Sequence, residues 1–335
     1  MAAKTLQTIL NHLPIETRLL TLLVVGIVLA GCPTSDRSDP VPGASVDTMA
    51  SDDASTSEAA RKAEILGDAN ERAEAARSRL EQSTGGRLLL ETIGAHGGLV
   101  AWYEAPTSSY TWEYANRDVD LPFKSFLVAN NRTRTAYHDL LSIGPFGEPE
   151  PIDGAFAWNG DVAWITPDSL ERPNPHFWAT TGYYFEQIPF VLADPGVRLE
   201  MLPDETLDGQ TYKMLRAGYD EGTGYSDDDT YTLYVHPETR QVDAIRYTVT
   251  YGQDLPDDAD VSETLFYYED YVTVDGLTVP RHFRGYRFTD GEKGQRRSEA
   301  WADNISFRRP FEASKLTPPS GARVMTPPPI ERATK

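Results

Sequence analysis

Short alternating segments separated by turn residues occupy most of this 335-residue chain, and this pattern restricts its fold more than any other feature. The segment "SYTWEYA" places Tyr110 and Trp112 on one face of a strand, because successive strand side chains point to opposite faces. The segment "GAFAWNGDVAWITPD" predicts a hairpin at Asn159-Gly160, since Asn-Gly suits a two-residue turn. Similar segments continue to about residue 308 and predict about ten antiparallel strands. A sheet of that size curls.

Helical patterns precede the strands and interrupt them once. From Glu58 to Gln82, Ala and Leu recur every three or four residues, which predicts either a free stalk or a docked helix; the docked form is favoured. A second helix is predicted from Thr84 to His96 and is ended by glycines. The segment Asn174–Asp194 breaks the β pattern, with Pro175 in a first-turn position. This inserted helix is expected to plug the concave side of the sheet.

The amino terminus has the features of an export signal. Leu19 to Ala30 carries no charge and follows Lys4 and Arg18, but it is shorter than the run of about 20 apolar residues that spans a bilayer. The tetrapeptide that ends in Cys32 resembles a bacterial lipobox, in which the cysteine is acylated and becomes the mature amino terminus. Residues 1–31 are therefore predicted to be a lipoprotein signal peptide and Cys32 the lipidation site. The alternative is an ordinary export signal with a buried cysteine.

Acylation of Cys32 has consequences for the fold and the location. Cys32 is the only cysteine, so no disulfide can form and the core alone must hold the fold. Stable anchoring takes two or more acyl chains, which an acylated amino terminus supplies. Because Pro33 replaces the Asp that retains some lipoproteins in the inner membrane, an anchor in the outer membrane facing the periplasm is favoured over the inner membrane.

Composition divides the remaining chain into regions. Residues 32–57 are rich in Ser, Asp, Pro and Ala and are predicted to be a flexible tether. They precede the Ala-rich helix (58–83), a β domain (84–309) and a Pro-rich carboxyl-terminal tail (310–335) predicted to be extended or disordered. The net charge of −20 repels nucleic acid and argues against nucleic-acid binding.

Sequence patterns typical of catalysis are missing. Nucleophile-elbow, zinc-protease, paired-cysteine, P-loop and dinucleotide patterns do not occur, so neither a catalytic residue nor a cofactor is predicted. His138-Asp139 is the nearest approach to an acid–base pair, but neighbouring strand residues point to opposite faces, and a satisfied surface histidine is favoured. The run Asp227-Asp228-Asp229 lacks EF-hand spacing. An acidic surface loop is favoured there over a calcium site, and no metal is predicted.

Three passages resemble the lipoprotein-carrier superfamily of LolA and LolB. They are "AHGGLVAW", "TLYVHPETRQVDAIRYTVTY" and "YEDYVTVDGLTVPRHFRGY"; together with "HFWATTGYYFEQIPFVLADPG" they are also similar to a group of bacterial lipoproteins known as a domain of unknown function. The resemblance covers roughly residues 84–308 and implies a mainly β fold with helices (α+β). In that fold, a curled antiparallel sheet forms a half-open β-barrel whose helices cover the concave face and which holds acyl chains. Because this chain has its own predicted anchor, a shuttle role is not expected.

Large aromatic side chains form the candidate ligand site. They either close a lipid cavity or fill the core, and helical aromatic stripes are usually core. The candidates are Trp158, Trp164, Phe177, Trp178, Tyr183, Tyr184, Phe185 and Phe190.

Three functions follow from these observations. The first is a membrane-tethered, non-enzymatic domain that binds a lipid or another hydrophobic ligand. The second is an envelope scaffold or interaction domain with a filled core and no ligand. The third, a hydrolase, would need a cleft of polar catalytic groups. The sequence identifies no protein partner.

Overall fold

The alternating segments form fifteen strands within residues 50–116, 122–144, 148–220, 229–248 and 263–326, which the computed structural model describes. The strands in chain order are β1 (Thr107–Asn116), β2 (Phe123–Asn130), β3 (Ala136–Ile143), β4 (Glu150–Trp158), β5 (Ala163–Thr166), β6 (Val197–Leu207), β7 (Gln210–Tyr219), β8 (Tyr231–Val235), β9 (Val242–Tyr247), β10 (Glu263–Glu269), β11 (Val272–Val274), β12 (Leu277–Val279), β13 (His282–Thr289), β14 (Glu292–Ser306) and β15 (Arg323–Met325).

Thirteen of these strands build one open antiparallel sheet. Its order is β15-β5-β4-β3-β2-β1-β14-β13-β10-β9-β8-β7-β6, and β11 and β12 form a separate hairpin. Most neighbours in the sheet are also neighbours in the chain, as expected for a meander. The pairing of β1 with β14 joins the two halves of the sheet, with Trp112 opposite Ala302. The predicted Asn159-Gly160 turn connects β4 to β5, and the Asn159 side chain accepts hydrogen bonds from two backbone N–H groups of the turn.

The helices are α1 (Ala50–Leu80), α2 (Thr84–Ala95), α3 (Leu99–Glu104) and α4 (Pro175–Glu186), with 3-10 helices at Phe190–Ala193 and Ala313–Leu316. No helix in the described ranges is both long enough and apolar enough to cross a bilayer.

The two faces of the sheet differ in what covers them. The main apolar cluster joins one face, here called the inner face, to the helices. The other face, here called the outer face, carries two smaller clusters, one of which is covered by Phe311 and Leu316 from the carboxyl-terminal segment. The prediction of a mainly β fold, an open half-barrel sheet with helices over one face, is confirmed.

His96 fastens the end of α2 to the sheet. Its buried ring donates a hydrogen bond from Nδ1 to the Thr278 carbonyl (2.8 Å), and Nε2 accepts one from the Val242 N–H (3.4 Å). Burial lowers the pKa of His96 to about 4. Gly97 permits this approach, because a Cβ there would lie 2.2 Å from the Gly276 carbonyl oxygen. The stop signal that ends α2 therefore also allows it to dock.

Helix α1 is docked as favoured but begins before its predicted start, and part of the carboxyl-terminal segment joins the sheet. Helix α1 begins at Ala50, inside the stretch predicted to be a tether, and its last three turns are docked through Ala69, Ala73, Ala76 and Leu80. The segment that follows β14, predicted to be extended or disordered, adds β15 to the sheet edge beside β5. Its apolar side chains cover the outer face, which the loss of periodicity did not reveal. The signal peptide and Cys32 lie outside the described residues.

Candidate ligand-binding site

Helix α4 carries most of the predicted ligand-binding residues and lies on the inner face. Its start follows from the sequence, because the Asn174 side chain accepts hydrogen bonds from the N–H groups of His176 (3.0 Å) and Phe177 (3.4 Å). Pro175 occupies the first turn, where its missing N–H has no helical partner to lose. The helix ends at Glu186 and packs on strands β2, β3, β4 and β5.

His138 holds the middle of α4 against β3. It is fully buried, its Nδ1 accepts from the Ser125 hydroxyl (2.8 Å), and its Nε2 donates to the Ala179 carbonyl (3.1 Å). Burial lowers the pKa of His138 to about 3, so the ring is neutral. The expected surface position was wrong, because His138 lies on the inner face. Asp139 points outward as expected and pairs with Lys315 (2.7 Å).

The predicted aromatic residues divide into deep and peripheral groups. Tyr183, Phe185 and Phe190 are buried, and Phe190 stacks on Trp102 of α3 with ring centres 5.1 Å apart. At the periphery, half-buried aromatic side chains follow the length of α4; they are Phe177, Trp178 and Tyr184. The structure thus brings six predicted residues onto α4 and the short helix after it.

The two predicted tryptophans of the β4–β5 hairpin lie on opposite faces of the sheet. Trp158 points inward, and its ring packs edge-on against His176 at the start of α4 (4.7 Å). Trp164 points outward, where its Nε1 donates to the Leu316 carbonyl (3.0 Å). Because the partners across the hairpin are Trp158–Ala163 and Ala157–Trp164, the two rings cannot share one face. The structure therefore does not bring Trp164 together with the other candidates.

A buried polar group lies beneath the last turn of α4. Glu186 is fully buried, and neither of its carboxyl oxygens has a hydrogen-bond partner among the described residues. Burial raises the pKa of Glu186 well above its usual range. Burial raises the pKa of Tyr110 on β1 well above its usual range, with a further contribution from Glu186, and the Tyr110 hydroxyl also lacks a partner in that part of the chain. The indole Nε1 of Trp112, two residues further along β1, is buried and unpartnered in the same way.

A polar contact closes the rim of the site near the β2–β3 turn. The Arg134 guanidinium donates one hydrogen bond to the Tyr183 hydroxyl and another to the Asp194 carboxylate (2.5 Å). Its side chain is 31% exposed. Arg134 therefore links the turn to both α4 and the short helix that follows it.

Potential metal ligands are not clustered among the described residues. In residues 50–116, 122–144, 148–220, 229–248 and 263–326, no group of three or more His, Cys, Asp or Glu is arranged to hold a metal ion. Of the acidic run, Asp227 and Asp228 lie outside the described residues. The arrangement suits the burial of apolar surface, with a few polar groups among the aromatic rings.

Sequence reasoning missed Glu186 and Arg134. Glu186 could have been found, because a carboxylate within "GYYFEQIPF" stands four residues after Gly182 and seven after Ala179, on the buried side of the helix. Arg134 had no such signal. Its role depends on a turn with positive φ (58°) and on contact with residues about 50 or more positions away.

No protein-family profile matches this chain, and no curated protein does. Solved structures match it over much of its length. A LolA superfamily protein from Nitrosomonas europaea is 11% identical, with 70% of this chain and 98% of that chain covered and a TM-score of 0.44. A DUF1329 family protein from Desulfovibrio piger is 13% identical, with coverages of 73% and 97% and a TM-score of 0.37.

The lipoprotein LppX from Mycobacterium tuberculosis is 11% identical, with 51% of this chain and 98% of that chain covered and a TM-score of 0.21.

Proposed function

We propose that this chain is a membrane-anchored lipoprotein of the cell envelope that binds a lipid or another hydrophobic ligand between α4 and the inner face, without catalysing a reaction. The observation that carries the proposal is the half-buried row of Phe177, Trp178 and Tyr184 along a helix that covers an aromatic sheet face. Aromatic rings here offer apolar surface both in the core and at its rim.

The ligand-binding residues in this proposal come from both walls. Trp158 belongs to the sheet, and the others belong to α4 and the short helix: Phe177, Trp178, Tyr183, Tyr184, Phe185 and Phe190. Trp164 is left out because it lies on the outer face. Apolar burial at about 25 cal/mol per Å² would supply the binding energy, and an acyl chain would contribute about 0.8 kcal/mol per CH₂.

The anchor is proposed from the sequence alone. Acylated Cys32 would hold the domain at the outer membrane, facing the periplasm, and α1 would follow the shortened tether. Mass spectrometry of the mature amino terminus tests the modification directly. A Cys32→Ser chain should leave the membrane fraction, and its retention there would contradict the proposal.

Native mass spectrometry of the membrane-extracted protein tests ligand binding. We expect a co-purifying lipid on the unaltered chain and less of it on Trp178→Ala, which removes a peripheral ring of α4. Trp301→Ala is the matched control, because Trp301 stacks on His282 (5.4 Å) away from α4. Equal lipid occupancy in the two variants would contradict the proposed site.

One observation favours a scaffold with a filled core as the second candidate. Tyr183, Phe190 and Trp102 are almost completely buried, and α4 is held by His138 and by Tyr268, whose hydroxyl donates to the Phe185 carbonyl (2.8 Å). Under this alternative the extracted protein carries no lipid and binds none that is added. Native mass spectrometry therefore distinguishes a lipid-binding domain from a scaffold with a filled core.

A further inference from the structure

Unpartnered polar atoms concentrate where the end of α4 meets β1. Both Glu186 oxygens, the Tyr110 hydroxyl and the Trp112 Nε1 have no hydrogen-bond partner among the described residues, and all three side chains are at most 1% exposed. The rings of Tyr110 and Trp112 are neighbours on the inner face, with centres 6.0 Å apart. Gln187, the residue after Glu186, is fully buried and leaves both polar atoms of its amide unpartnered as well.

This concentration is costly for a core that serves only to fill space. A buried polar group without a partner costs about 1–3 kcal/mol, and the large majority of buried side-chain polar atoms in proteins have a hydrogen-bond partner. Phenylalanine in place of Tyr110 and leucine in place of Glu186 would fill similar volumes without that cost. The polar groups therefore suit a partner that is not part of the protein chain.

Gly182 brings α4 close to this group. A Cβ at Gly182 would lie 3.1 Å from the Trp112 ring, so the helix passes directly over the indole. Glu186 stands one helical turn later, and helical side chains lean back toward the preceding turn. The Glu186 carboxyl, the Tyr110 hydroxyl and the Trp112 N–H thus face one region between helix and sheet.

We propose that Glu186, Tyr110 and Trp112 bind the uncharged polar head of the hydrophobic ligand, such as the hydroxyl or ester group of an acylglycerol. This subsite rests on the proposed function, in which the apolar part of the ligand lies along the aromatic rings of α4. The neutral carboxyl, the phenol and the indole supply three donors, and the carboxyl and phenol also accept.

The electrostatics disfavour a charged head. Burial alone raises the pKa of Glu186, and no cation among the described residues opposes it. An anion placed there would be desolvated without a compensating positive charge, which is strongly unfavourable. A neutral head forms its hydrogen bonds without that penalty.

Two probes of equal chain length test the subsite with the purified full chain. We expect 1-oleoylglycerol to bind at least about tenfold more tightly than oleate at pH 8, since one good hydrogen bond corresponds to about that factor. Tyr110→Phe and Trp112→Phe should each weaken 1-oleoylglycerol about three- to tenfold and leave oleate unchanged. Tyr137→Phe is the control, because Tyr137 packs on Phe311 on the outer face.

The possible failures are distinguishable. If both probes bind and the inner-face variants bind them as the unaltered chain does, the subsite is wrong while the proposed function stands. If neither probe binds to the unaltered chain, the proposed function and the subsite both fail. A preference for oleate would also overturn the subsite.

Discussion

Acid should unfold this protein through two buried histidines. His96 and His138 are both neutral in the fold, with pKa values lowered to about 4 and about 3 because burial disfavours the charged ring. In the unfolded chain each titrates near its ordinary pKa of about 6.5. The unfolded state therefore takes up protons first, and the stability that these groups contribute is present above pH 6.5 and is lost as the pH falls below it.

The size of the effect follows from these pKa values. At pH 5 the unfolded chain has bound nearly one proton at each histidine and the fold almost none, which lowers the free energy of unfolding by about 2 kcal/mol per histidine. The loss from both is about 4 kcal/mol, a large share of the 5–15 kcal/mol typical of a folded domain. Protonation also removes the acceptors that His96 offers to Val242 and His138 offers to Ser125.

Urea unfolding at pH 7 and pH 5 measures the effect. Between pH 7 and pH 5, the free energy of unfolding should fall by about 4 kcal/mol less in a His96→Gln, His138→Gln double variant than in the unaltered chain. This difference does not depend on how stable the double variant is at pH 7. Leu89→Ala is the control, because it removes a buried side chain from α2 without removing a titratable group. Equal pH-dependent losses in the double variant and the unaltered chain would refute the reasoning.

Three further predictions concern α4 and its contacts. Arg134→Ala should lower the free energy of unfolding by about 1–3 kcal/mol, because it removes partners from Tyr183 and Asp194; urea unfolding at pH 7 would show it, and no change would mean that the contact is not formed. Gly182→Ala should lower the free energy of unfolding by about 1 kcal/mol, because the new methyl group crowds Trp112 by more than the gain in helix propensity offsets. Gly94→Ala should raise the free energy of unfolding in the same urea assay, because a Cβ at that position meets no atom within 4 Å. Glu186→Gln should raise the free energy of unfolding more at pH 8 than at pH 5. A carboxyl whose pKa is raised by folding lowers the stability of the fold as the pH rises above the pKa of the same group in the unfolded chain, and glutamine removes this effect. The same gain in stability at both pH values would contradict the raised pKa.

Local sequence patterns predicted the sheet but not its full extent. The Asn159-Gly160 turn and the alternation in β1 are local signals, and both lie where they were expected. The strand β15 has no such signal, because three residues are too few to show alternation and its pairing partner β5 lies far away in the chain. Contacts of that range depend on the assembled surface and not on the residues nearby.

The candidate site shows the same limit. The helix interrupting the strands, its proline in the first turn and its aromatic residues were all predicted from spacing. The alternation of strand side chains on the two sides of the Asn159-Gly160 turn already places Trp158 and Trp164 on opposite faces, so their assignment to one cavity was wrong. The inward position of His138 depends on which face of β3 the helix covers, and a single strand cannot show that.

The buried polar groups decide between a filled core and a binding site. If the inner face only fills space, Tyr110→Phe removes an unpaired hydroxyl, so the free energy of unfolding rises and no binding activity is lost. If a ligand head binds there, the same change raises the stability of the empty protein and weakens 1-oleoylglycerol binding. A gain in stability thus occurs under both readings, and only its combination with a loss of binding indicates that the polar groups serve a ligand. Stability measurements alone cannot replace the binding measurement at this site.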